Sequence, residues 1–171
     1  TFTAATPLGE AAAGLPVTTD LANAVIGLIP GSIGETSVIA IALGAILLLW
    51  TGVASWKIML SVFVGGALTG LLFNSLGLTE ITWVEQLVYG GFCFGAVFMA
   101  TDPVTSARTE GGKYIYGFLI GVVAVMVRVL NPGYPEGMML AILLLNLFAS
   151  LIDYCFVQSN INMRAKRVSK K

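Results

Sequence analysis

The stretch MMLAILLLNLFASLIDYCFV, residues 138–157, runs directly into QSNINMRAKRVSKK, residues 158–171. The first contains one charged residue, Asp153, and at 1.5 Å per helical residue it is long enough to cross about 30 Å of hydrocarbon. The second carries Arg164, Lys166, Arg167, Lys170 and Lys171 without an acid, the pattern of a segment held on the cytoplasmic side of a membrane. Working back along the chain, residues 38–56, 58–76 and 114–130 form further apolar runs. A shorter run, 87–100, recruits residues from Trp83 onward. Every backbone N–H and C=O within hydrocarbon must be bonded inside its own segment. These runs therefore read as five membrane helices, the 83–100 helix broken or partly re-entrant.

Composition agrees. The chain has 171 residues, 57% hydrophobic and 11% charged, where a soluble domain carries about a quarter charged residues, so a water-soluble globule is excluded. Nine basic residues balance nine acidic ones, which leaves no polyelectrolyte surface for nucleic acid. Histidine is absent, so no imidazole serves metal ligation or acid–base catalysis. Cys93 and Cys155 sit far apart in apolar runs and read as buried reduced thiols. Gly65-Gly66-Ala67, Gly90-Gly91 and Gly95-Ala96 place small residues where helices can approach closely, the mark of a compact bundle.

The basic residues orient the bundle. With the tail in the cytoplasm, five spans put the N-terminal segment outside and place Lys57, Arg108 and Lys113 inside. The outer segments 1–37, 77–86 and 131–137 contain no lysine or arginine and carry Glu10, Asp20, Glu35, Glu80, Glu85 and Glu136. Arg128 is the one basic residue within a span. The expected organisation is an extracytoplasmic segment, 1–37, a five-helix membrane bundle, 38–157, and a basic cytoplasmic tail, 158–171, that anchors on anionic lipid. The first residue is Thr1 and no leader pattern precedes it, so the chain reads as a piece of something longer.

Within the outer segment, the apolar stretch 21–29, closed by Pro30-Gly31, is too short to span and reads as a half-helix of the kind that lines a cavity. Ahead of it stands Thr3-Ala4-Ala5-Thr6-Pro7. Thr6 before Pro7 is a helix start, with Thr6 at the N-cap and Pro7 at the first helical position. On spacing alone Thr6 is a cap.

Three motifs change that reading. Thr3-Ala4-Ala5-Thr6 resembles a flavinylation motif, Ser/Thr-Gly-Ala-Thr, whose last threonine carries FMN through a phosphoester. The run 98–107, FMATDPVTSA, matches an ATDPV-(S/T) signature of flavin-bearing membrane subunits. The run 128–142, RVLNPGYPEGMMLAI, is a third match, and 146–153, NLFASLID, follows closely. Together they are similar, over essentially the whole chain, to the family comprising the B-type subunits of sodium-translocating NADH:quinone reductases and the D-type subunits of RNF complexes. The third run favours the former. The family's motif glycine is Ala4 here, which adds a methyl group where the flavin transferase approaches.

The resemblance implies an all-α polytopic protein, half of a urea-channel-like fold of ten spans, in a bacterial inner membrane with residues 1–37 periplasmic. It implies covalent FMN on Thr6, a riboflavin, and electron transfer from NADH toward quinone coupled to Na⁺ export. The partners it implies are the other subunits of the reductase, quinone, Na⁺, a flavin transferase and membrane lipid. The redox chemistry belongs to the flavin ring, and the protein supplies position and electrostatics. An RNF-type subunit, a solute channel without cofactor and a scaffold for partner subunits are the competing readings.

Other residues take roles within that frame. A phosphate on Thr6 would find the free N–H groups of the helix beginning at Pro7. Arg128 is either a counter-charge for that phosphate or an arginine reaching the outer headgroups. Asp153, flanked by apolar residues, is read as deeply buried, on a cation path or hydrogen-bonded within the bundle. Asp102 before Pro103 reads as a helix N-cap, or as a cation or cofactor-loop residue. Glu136 attracts cations at the outer face or opens the last helix.

Overall fold

A computed structural model describes residues 6–15, 20–32, 34–79, 81–131, 133 and 136–168. The flavinylation-motif residues Thr3, Ala4 and Ala5, the prolines and tyrosine of the 131–137 turn, Glu80, and Lys170 and Lys171 lie outside the described residues. Among those described, all regular structure is helical: α1 (Pro7–Ala12), α2 (Leu21–Ile26), α3 (Val38–Trp50), α4 (Trp56–Ser75), α5 (Trp83–Val88), α6 (Phe92–Phe94) leading into a π-helical turn (Gly95–Met99), α7 (Glu110–Leu130) and α8 (Met138–Val168).

Three of the expected spans, α4, α7 and α8, are continuous helices long and apolar enough to cross a membrane. The other two differ. The run 38–56 yields only thirteen residues of helix, about 20 Å, because the chain turns at Gly52 and the next helix already starts at Trp56. The run 83–100 is broken at Tyr89-Gly90-Gly91. Gly90 adopts φ +66°, a left-handed conformation that favours glycine. The half-helix after Asp20 is present but ends at Gly27, at φ +99°, before Pro30 is reached. α8 does not stop at 157. Residues 158–168 contain no proline or glycine to end it, and it continues to Val168, 31 residues and about 46 Å in all. The basic segment is therefore, as far as Val168, a helical extension of the last span, with residues 158–167 exposed.

α4 and α7 pack backbone to backbone. A Cβ at Gly117 would lie 2.8 Å from the Ile58 carbonyl oxygen, and one at Gly121 would lie 2.6 Å from the Gly66 nitrogen. Small residues permit this approach where lipid offers no hydrophobic drive between helices. Ile58, Val62, Phe92, Tyr116, Ile120 and Ala124 fill the core beside it, with Ala141, Ile142 and Leu145 of α8. The Tyr116 hydroxyl donates to Asn146 Oδ1 and ties α7 to α8. Outward faces of α3, α4 and α8 expose Leu43, Leu47, Leu68 and Leu147, as membrane-embedded surfaces do. Cys93 is buried, its thiol donating to the Leu87 carbonyl, but Cys155 is exposed, against expectation: it lies on the outward side of α8.

Gly121→Ala tests the contact. The methyl group would meet main chain, which cannot rotate away, so a loss of about 1–3 kcal/mol is expected. Thermal unfolding in detergent should show a clear drop in midpoint, and an unchanged midpoint would mean the helices do not approach this closely.

Candidate functional site

The two ends of the bundle hold different groups of polar residues. At one end, α5 starts with a capping box: Thr82 N–H donates to Glu85 Oε2 at 2.8 Å, and Glu85 N–H donates to Thr82 Oγ1 at 3.4 Å. Six residues on, the chain leaves the helix at Tyr89 and turns through the glycine corner. A Cβ at Gly90 would fall 2.5 Å from Leu8 Cδ1 and 2.8 Å from Glu136 Oε2, and one at Gly91 would fall 2.6 Å from Glu35 Oε2. The Gly91 N–H donates to Glu136 Oε2 at 3.2 Å.

Arg128 lies behind that corner, 6% exposed. Its Nη1 donates to the Gln86 carbonyl, its guanidinium stands 5.9 Å over the Phe92 ring, and Glu136 and Glu35 act on its charge through space. An arginine reaching the headgroups is thereby corrected. The side chain turns into the bundle, where the Gln86 carbonyl accepts from it and the field of Glu136 and Glu35 favours its charge. Glu136 likewise does more than open the last helix, since its carboxylate ties the start of α8 to the corner. Glu35 is the member that sequence reasoning missed. It stood out only as one more outer acid, and the pairing of Gly90 with Gly91 was the available signal that a corner, and something packed into it, lies there.

Thr6 is at this same end. It caps α1 as expected, in extended backbone, with Oγ1 accepting the Gly9 N–H at 3.1 Å. Leu8, two residues on, is 2% exposed and packs with Ala24, Ile81 and Tyr89, which pins α1 to the corner. Thr6 itself is half-buried. A Cβ at Gly9 would lie 3.2 Å from Thr6 Oγ1, so glycine there leaves room around the threonine oxygen. α1 spans six residues, so the N-terminal dipole available to a group at Thr6 is that of little more than one turn.

Asp153 and Asp102 are at the opposite end. Asp153 is not deeply buried: it accepts from Arg108 N–H at 2.8 Å, Thr109 N–H at 2.9 Å and Thr109 Oγ1 at 2.6 Å, at the level where α7 begins. Its apolar flanks misled because α8 runs on past this level with side chains facing outward. Asp102 is not a helix N-cap. α7 starts at Glu110 with Thr109 as its cap, and Asp102 instead closes a tight turn by accepting from Val104 N–H at 3.3 Å and Thr105 Oγ1 at 2.8 Å. The Thr105 hydroxyl, with the Val104 N–H, holds the Asp102 carboxyl below the usual carboxylate range.

Thr6, Arg128 and Glu136 are thus brought to one end, Asp102 and Asp153 to the other. Among the described residues no three histidine, cysteine or acidic side chains are grouped to hold a metal ion.

With all regular structure among the described residues helical, three helices of membrane-spanning length, and an arginine buried behind a glycine corner on which a short helix is seated, this is a polytopic helical membrane protein. Residues 1–162 match the model of the NQR2, RnfD, RnfE family, and the chain belongs to that family. Over 150 residues it is 57% identical to the B-type subunit of the Na(+)-translocating NADH-quinone reductase of Chromohalobacter salexigens, covering 85% of this chain and 36% of that protein. It is 49% identical to the corresponding protein of Klebsiella pneumoniae (97% of this chain, 44% of that protein) and 47% identical to that of Pseudoalteromonas atlantica (98% and 44%). The chain spans less than half the length of these relatives.

Proposed function

We propose that this chain is part of the B-type membrane subunit of a sodium-translocating NADH:quinone oxidoreductase in a bacterial inner membrane, that Thr6 carries FMN as a phosphoester, and that the subunit relays electrons toward quinone while Na⁺ is exported. The observation that carries the reading is the seat of Thr6, half-buried at the start of a helix anchored on the corner, its oxygen flanked by a glycine. Esterification replaces the hydroxyl hydrogen and leaves a lone pair on Oγ1 for the Gly9 N–H, so cap and cofactor are compatible. When bound, the flavin supplies one- and two-electron redox chemistry. This chain fixes the attachment point through Leu8, and Arg128 places positive charge behind the corner as counter-charge to the phosphate. Riboflavin and quinone contacts belong to the remaining length of the subunit, other subunits of the reductase complete the electron path, and a flavin transferase loads Thr6.

The basic residues at the Lys57–Arg108 end support placing that end in the cytoplasm and residues 1–37 outside. Asp102 and Asp153 then mark where Na⁺ arrives and Glu136 where it leaves. The acids stand at the two faces, so they attract the ion rather than pass it along the middle of the bundle.

Mass spectrometry of the peptide containing Thr6, from the protein as assembled in its membrane, tests the reading. The expected mass is that of the peptide plus FMN less one water. An unmodified peptide at full recovery overturns the attachment.

A further inference from the structure

At the end remote from Thr6, a cleft of about 430 Å³ opens between the turn joining α3 to α4 and the loop 101–109. Its walls carry three cations, Lys57, Arg108 and Lys113, and one acid, Glu110. Glu110 holds two of the cations side by side: Lys113 Nζ donates to Oε1 at 2.9 Å and Lys57 Nζ bonds Oε2. Asp153 and Asp102 are nearby but do not line the cleft. Their oxygens are turned to Arg108 and Thr109, and to Val104 and Thr105, so a ligand in the cleft meets the cationic wall. Ser55, at the N-cap of α4, makes no side-chain capping bond, and it too faces the cleft.

The surroundings are those of a membrane surface. Trp56 (54% exposed) lines the cleft, and Tyr114 stands against it. Aromatic residues at the ends of spans sit at headgroup depth. Trp56 and Tyr114 meet edge to face with centroids 6.5 Å apart, and Lys57 Nζ lies about equally far from both rings, at 6.0 and 5.9 Å. The cation is thereby held at the junction of an apolar rim and a polar cleft.

We propose that this cleft binds the phosphodiester of an anionic phospholipid, with Arg108 and Lys113 as its cations and the Trp56–Tyr114 edge beside its acyl chains. Basic pockets between spans at this depth suit such headgroups. A free phosphate would use the cations alone and leave the apolar rim without a role. The proposal does not depend on the redox reading.

Native mass spectrometry of the full-length protein in neutral detergent, titrated with phosphatidylglycerol or phosphatidylcholine, tests it. Phosphatidylglycerol adducts should survive collisional activation that strips phosphatidylcholine. In R108Q/K113Q they should fall about fivefold or more, while R164Q/R167Q, which removes the same charge from the helical extension, should retain them. Should the double variant fail to fold, R108Q alone suffices, because Asp153 holds the main-chain N–H of that residue. Equal retention of the two lipids, equal loss in the two variants, or displacement of phosphatidylglycerol by millimolar inorganic phosphate would each overturn the proposal.

Discussion

Thr6→Ala should abolish covalent flavin: the denatured protein band, fluorescent under ultraviolet light when the cofactor is attached, should go dark. The reason is stoichiometric. The phosphoester needs an oxygen on this side chain, and alanine has none. The same substitution removes the cap on α1, which costs about 1 kcal/mol. Thr82→Ala separates the two effects, since Thr82 caps α5 with the same hydroxyl chemistry. It should lower the melting midpoint by a similar amount and leave the band fluorescent. A fluorescent Thr6→Ala band would place the flavin elsewhere.

Arg128→Leu should destabilise the glycine corner. Leucine fills much of the volume but leaves the Gln86 carbonyl without its donor and removes the positive charge whose field reaches Glu136 and Glu35. Leaving a buried carbonyl without its hydrogen-bond donor typically costs about 1–3 kcal/mol. The damage should reach the flavin as well, because the corner that loses its charge balance is the one on which Leu8 rests. Flavin occupancy should fall and the midpoint potential of the remaining flavin should shift. Arg128→Lys keeps the charge but not the planar fork, and should fall between leucine and the native protein. An unchanged melting midpoint in Arg128→Leu would show that the guanidinium does not hold the corner together, and an unaltered redox titration would separate it from the flavin.

Features set by neighbours in sequence were legible. Thr6 and Pro7 specify a helix start through residues three apart, and the structure has that start. The long runs at α4 and α7 follow from length and apolarity, to within four residues at their ends. Features set by distant partners were not. Glu35 reaches Gly91 across more than fifty positions, and nothing in the residues around Glu35 marks that contact. Asp102 before Pro103 is a signal shared by helix caps and tight turns. What decided between them was Thr109, seven residues later, which caps the helix instead. Asp153 was placed too deep because hydropathy registers how apolar the neighbours are and not which side of the helix they occupy. The end of α8 was placed too early for a related reason: the apolar run stops at Val157, but helix formation needs only the absence of a breaker.

The backbone contact between α4 and α7 also restricts how this chain can move. Sliding one of these helices along the other would drive main chain into main chain at Gly117 and again one turn on at Gly121, so the pair behaves as a single stiff spine. Under the proposed function, any rearrangement that accompanies ion passage is then carried by the pieces hung on it: the thirteen-residue α3, which ends before the turn at Gly52, and the segmented stretch on either side of Gly90. A probe pair bridging α4 and α7 should stay at constant separation through turnover, while one reporting on α3 registers the stroke.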